Sequence, residues 1–158
     1  MFGDEGAVST VQLVDLATGV CTPQPALLHT RYQSAAARML DGLIVCAGGI
    51  NAGDVQSTAE TWKPPVEAVM DEAWTLRALP AMSVGRYGCC GCMMSDGCFA
   101  VLGGWSNEDD TSLCEALLIG NDEHWHTLPP MHDSRAFLRV RGCGWMRHHD
   151  RREWSLNR

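Results

Sequence analysis

Two runs of apolar residues, Leu43-Ile-Val-Cys-Ala47 and Cys98-Phe-Ala-Val-Leu102, interrupt a chain of otherwise mixed polarity. Each is continuous and short, the texture of a strand buried on both faces. Asp41-Gly42 and Asp96-Gly97 stand directly before them. Asp-Gly is a two-residue hairpin signal, so each run is expected to pair with a preceding strand, about Gln33–Leu40 and about Gly88–Ser95. Gly48-Gly49 and Gly103-Gly104 close the runs, where a missing Cβ permits a bulge or close backbone approach. Third strands are expected to carry Glu60 and Glu115, and fourth strands Trp74 and Trp125. Val11–Leu16 followed by Ala17-Thr-Gly-Val20 reads as a third strand, a turn and the start of a fourth. No helix longer than two turns is expected, because Pro64-Pro65 interrupts the candidate stretch Thr58–Ala73.

The two hydrophobic patterns are copies of one unit. Arg31, Asp41-Gly42 and Gly48-Gly49 recur as Arg86, Asp96-Gly97 and Gly103-Gly104, each offset by 55 residues. Glu60 answers Glu115 at the same offset, and Trp74 answers Trp125 at 51. Leu79-Pro-Ala-Met82 answers Leu128-Pro-Pro-Met131 at 49. An Arg follows each Met four residues on, at Arg86 and Arg135, and Leu27 stands in the Met place before Arg31. Cys21 stands where the Trp would be. A period near 50 residues with these landmarks signals repeat architecture.

This pattern resembles the kelch repeat over roughly residues 11–138, with Gly-Gly after an apolar strand its most specific element. The resemblance implies an all-β fold of four-stranded β-propeller blades, two complete and one partial, in an incomplete ring. The expected divisions are the second half of a blade at 1–30, repeats at 31–82 and 83–131, and a truncated repeat start with an Arg-rich tail at 132–158. The structural positions of the repeat are Arg31, Gly48, Gly49, Glu60, Trp74 and Met82, then Arg86, Gly103, Gly104, Glu115, Trp125 and Met131. Arg31 and Arg86 are expected to pair with backbone carbonyls or with acids such as Glu60 and Glu115. In the kelch family, the loops after Gly-Gly and between blades commonly bind partners. The matching segments are Ile50–Gln56, Trp105–Asp110, Leu28–Tyr32 and Ser83–Tyr87, with Tyr32, Asn51, Tyr87, Trp105 and Asn107 as candidate contacts.

Composition narrows the function classes. The 158 residues suffice for one ordinary domain. The net charge of −7 argues against binding nucleic acid or an anionic membrane. That charge is uneven: the seven arginines of residues 135–158 face only Asp150 and Glu153. The mixture of those arginines with Trp145 and Trp154 reads as a polar terminus. No run reaches the ~18–20 apolar residues of a membrane span, and Met1-Phe-Gly-Asp-Glu-Gly is unlike a signal peptide. The eight cysteines are therefore expected as thiols in the cytoplasm.

Candidate chemistry is sparse. Cys89-Cys90-Gly-Cys92, Cys98, Cys46 and Cys114 could supply thiolates to zinc, yet they fall in expected strands and behave there as small hydrophobes. His124 and His126 share a strand face, while His132 lies past two prolines. Glu108-Asp109-Asp110 lacks the ligand spacing of an EF-hand calcium loop. No phosphate loop and no nucleophile elbow is present, and Lys63 is the sole lysine. Galactose-oxidase-type copper enzymes share the kelch-like blade, but Tyr32 and Tyr87 are equivalent repeat positions. The expectation is a non-enzymatic protein-interaction module without a cofactor, possible as part of a larger kelch protein or adaptor, with an unknown protein partner and self-association through open blade edges. The alternatives are a Cys/His zinc protein, or a galactose-oxidase-like propeller without its catalytic residues.

Overall fold

The computed structural model describes residues 7–63, 75–107 and 109–137. All regular structure among them is β, arranged in antiparallel sheets. β1 (Val11–Val14) pairs with β2 (Cys21–Gln24). A four-stranded sheet follows, made of β3 (Ala35–Arg38), β4 (Ile44–Ala47), β7 (Ala59–Lys63) and β8 (Thr75–Leu79). Between its second and third strands lies a small hairpin, β5 (Ile50–Asn51) with β6 (Asp54–Val55). The second four-stranded sheet repeats the order with β9 (Cys90–Met93), β10 (Phe99–Leu102), β11 (Cys114–Leu118) and β12 (His124–Leu128).

The two large sheets pack face to face. Alternation along each strand puts Ala35, Val45, Ala47, Ala59 and Leu79 into one core with Phe99, Val101 and Leu117 of the second sheet. The first strands approach most closely: a Cβ on Gly91 would sit 2.8 Å from the Ala36 amide nitrogen. The small Ala35-Ala36-Ala37 run opposite it therefore suits the inner edge. Phe99 meets Trp125 edge-on at 6.3 Å, and the Trp125 indole donates to the Pro80 carbonyl across the sheets at 2.7 Å. The other face of the second sheet gathers Cys92, Cys98, Ala100, Leu102, Cys114 and Ala116.

Two sequence expectations need correction. The Asp-Gly loops are three residues long, not two. The Met39 amide donates to the Leu43 carbonyl at 2.7 Å and the Gly42 amide to the Met39 carbonyl at 3.0 Å. Gly42 alone of the loop residues has a positive φ, 86°, whereas a two-residue type I′ turn needs two such residues. Asp41 instead accepts the Leu43 amide at 3.1 Å, and Asp96 accepts that of Cys98 at 3.0 Å. The second correction concerns the tryptophans. Trp74 lies outside the described residues, and the ladder sets Leu76 against Trp62 as it sets Trp125 against Leu117. Leu76, not Trp74, thus holds the place of Trp125, because backbone pairing counts from the Leu-Pro end of the strand. Trp62, unremarked in the sequence, is buried on the third strand.

One joint recurs three times. The amides of Leu27, Met82 and Met131 donate to the carbonyls of Ser9, Ser57 and Ser112 at 2.8, 2.9 and 2.9 Å. The amides of Arg31, Arg86 and Arg135 reach Val8, Gln56 and Thr111 in the same relation. The Arg86 carbonyl then accepts the Gly49 amide, and the Arg135 carbonyl that of Gly104, both at 2.9 Å. Counted from Ser9, Ser57 and Ser112, Gln12 occupies in β1 the place of Glu60 and Glu115.

Candidate functional site

Two buried ion pairs fix one end of the sheets. Arg31 donates through Nη1 to the Gly48 carbonyl at 2.6 Å and the Thr58 carbonyl at 3.0 Å, and through Nη2 to Glu60 Oε1 at 2.6 Å. Glu60 Oε2 accepts the Leu28 amide at 2.6 Å. Arg86 reaches the Leu113 carbonyl at 2.8 Å and pairs with Glu115, whose second oxygen accepts the Ser83 amide at 3.2 Å. Each pair therefore ties an inter-sheet linker to the strand that follows the glycines. Burial of such charges is tolerated only when their hydrogen bonds are met, as these largely are. Among the described residues Arg135 meets no such buried acid and pairs at the surface with Asp133 at 3.2 Å.

On that base stand the loops. The backbones of Tyr32 and Ile50 pair, as do those of Tyr87 and Trp105, so each linker is laced to a loop. The loops are pinched at their necks: the Gln56 amide donates to the Gly49 carbonyl and the Thr111 amide to the Gly104 carbonyl, both at 2.8 Å. Ser106 donates its amide to the Asp109 carbonyl at 3.0 Å, tightening the second loop into a hairpin. Between the loops lies a cleft of about 310 Å³, lined by Val55, Ser57, Val84, Gly85, Ser106 and Asn107. Of the five candidate contacts, Asn107 alone lines it. Tyr32 is exposed, and Asn51, Tyr87 and Trp105 are half-buried at the same loop end without joining the cleft. Val55, Val84, Gly85 and Ser106 fall in segments that the repeat pattern marks, but small and aliphatic residues carry no chemical signal of their own. Ser57 falls just outside them.

The thiols do not assemble into a site. Burial pushes the Cys46 and Cys98 thiols up to about 11 and also raises Cys89 and Cys114. Cys89 belongs to the core between the sheets, whereas Cys90 and Cys92 face the opposite way. Among the described residues, no three His, Cys, Asp or Glu side chains converge to hold a metal ion. The rings of His124 and His126 lie 6.3 Å apart, and His132 contacts Asp133 at 3.0 Å. Cys143, Trp145, His148, His149 and Trp154 lie outside the described residues. Among the described residues, no helix is long and apolar enough to cross a membrane.

No family model matches the chain, and no curated protein is similar to it in sequence. In fold it is similar to a solved fungal alcohol oxidase of the AA5 family, in complex with copper, with a TM-score of 0.63 and 18% identity. The likeness covers 82% of this chain but only 29% of that one, so the chain spans less than a third of its neighbour. That neighbour has a kelch-type β-propeller fold, and at this identity the likeness speaks to the fold alone. It also corrects one expectation. The sequence points to a non-enzymatic module, yet a solved structure of similar fold is an enzyme. Fold does not fix function, and the likeness gives no ground for excluding catalysis.

Proposed function

We propose that this chain is a segment of a kelch-type β-propeller whose loop end recognises a protein partner. The observation that carries the reading is the cleft of about 310 Å³ bounded by loops from both sheets and by the linker between them. Its walls are short loops held at the neck and seated on buried ion pairs, a rigid mount for recognition residues. Substitution of Asn107 by Arg would fill the cleft without touching the core, whereas Asp41→Arg alters the opposite end. Proteins captured from a lysate by the parent and by Asp41→Arg are expected to be lost with Asn107→Arg. Equal capture by all three chains would overturn the reading.

The likeness to the alcohol oxidase supports a second reading, in which the segment belongs to an oxidase-type propeller. Among the described residues no three His, Cys, Asp or Glu side chains converge on a place for copper. Titration with Cu(II) followed by electron paramagnetic resonance tests it. One tightly held ion per chain would favour this reading, and only weak, nonspecific signals would sink it.

A further inference from the structure

We infer that the cleft between the loops takes a cationic segment of a partner protein, an inference that rests on the loop-end reading above. Val55 and Val84 give it two apolar walls, while Ser57, Ser106 and Asn107 line it with neutral polar groups. That combination suits a Lys or Arg side chain, whose aliphatic stem is buried while its head meets hydrogen-bond acceptors. At about 310 Å³ the cleft lies at the small end of ligand sites and holds a few side chains of an extended peptide.

Charge selects the occupant. The described residues framing the cleft, 50–57, 83–85, 105–107 and 109–113, contain Asp54, Asp109 and Asp110 and not one Lys, Arg or His. Asp54 immediately precedes Val55, and Asp109 closes the hairpin that carries Ser106 and Asn107. Among the described residues, no basic side chain forms an ion pair with Asp54, Asp109 or Asp110. Of the repeat arginines, Arg31 and Arg86 are buried and engaged with Glu60 and Glu115, and Arg135, at the neck of the second loop, pairs with Asp133. Among the described residues the loop end therefore presents a net negative field, which steers cationic partners and repels acidic peptides and phosphate-rich polymers.

The test is fluorescence anisotropy with the full chain and three labelled twelve-residue Gly/Ser peptides carrying four Arg, four Glu or no charge. The Arg peptide is expected to bind saturably, to weaken with salt, and to weaken about five- to tenfold in the Asp54→Asn/Asp109→Asn variant. Asn107→Lys is expected to abolish its binding. Equal binding of the Glu peptide, or an Arg-peptide affinity unchanged by Asn107→Lys, overturns the inference. If the uncharged peptide binds as tightly as the Arg peptide and is lost with Asn107→Lys, the charge argument fails while the loop-end reading stands. A fourth chain carries Ser at Arg147, Arg151, Arg152 and Arg158. Peptide affinity raised tenfold in it would assign the cleft to the chain's own Arg-rich terminus and overturn the assignment to a partner.

Discussion

Gly49 and Arg86 join the two large sheets through a main-chain contact, the Gly49 amide donating to the Arg86 carbonyl at 2.9 Å. Gly104 and Arg135 repeat it at the same distance. The contact needs a residue without a Cβ in front of the arginine. In the second copy, a Cβ on Gly103 would press on the Arg135 carbonyl and lie 2.6 Å from the Met131 methyl, at a φ of 57°. Gly103→Val is therefore expected to cost about 2–4 kcal/mol, from overpacking together with left-handed strain. Gly53 also has a positive φ but has open space around it, so Gly53→Ala should cost only the strain, about 1 kcal/mol. Urea unfolding of both variants checks this; a Gly103→Val chain melting like the parent would refute the joint.

Removing Glu115 leaves the Arg86 charge buried and uncompensated and frees the Ser83 amide. Glu115→Ala is expected to destabilise by about 3–5 kcal/mol. The double variant Arg86→Met/Glu115→Leu should recover much of that loss, because an apolar pair in place of a buried ion pair is often neutral. Equal losses in the single and double variants would show that the Arg86 contact to the Leu113 carbonyl dominates instead.

The second residue after each repeat arginine is left-handed: Gln33, Gly88 and Phe137 have φ of 55°, 59° and 56°. They form a ladder, with the Gly88 amide donating to the Gln33 carbonyl at 2.9 Å and the Phe137 amide to that of Gly88 at 2.6 Å. Gly88 meets this conformation without strain and Gln33 does not. Gln33→Gly should raise stability by up to about 1 kcal/mol, read as a higher melting temperature.

The buried thiols should be slow to react. Desolvation lifts Cys46 and Cys98 to about 11, so at pH 8 almost no thiolate is present, whereas Cys21 is exposed. Iodoacetamide at pH 8 is expected to label Cys21 and spare Cys46 and Cys98 until denaturant is added. Rapid labelling of Cys98 in the native chain would contradict the packing of that face.

Arg77 and Glu123 bridge the two sheets at 2.6 Å, and the Arg77 hydrogen bond holds the Glu123 carboxyl below its ordinary 4.5. A depressed acid stabilises the fold above its unfolded value, and this contribution is lost as pH falls through the folded one. Arg77 is half-exposed, so the effect stays below about 1 kcal/mol. Arg77→Ala should melt slightly below the parent at pH 7 and level with it at pH 3.

Much of the scaffold is legible in the chain because it repeats. The offset that aligns Arg31 with Arg86 and Glu60 with Glu115 also names the members of both ion pairs. The apolar runs before Gly-Gly mark β4 and β10 because strands buried on both faces leave little room for polar residues. What repetition misses is set by backbone pairing. The Trp74–Trp125 match follows residue type, while the ladder follows the Leu-Pro end and selects Leu76. Likewise Asp-Gly signals a hairpin but not its length, which depends on whether Asp41 adopts a positive φ. The cleft is least legible, since Val55, Ser57, Val84 and Gly85 become a surface only when two sheets set them side by side.

The pinched necks at Gly49–Gln56 and Gly104–Thr111 have a consequence for how such a chain changes over time. Each loop begins and ends at a fixed hydrogen bond, so residues can be inserted or exchanged between the two anchors while the sheets below keep their register. The loops behave as interchangeable cassettes on a fixed socket, and their surface can change without the fold being renegotiated.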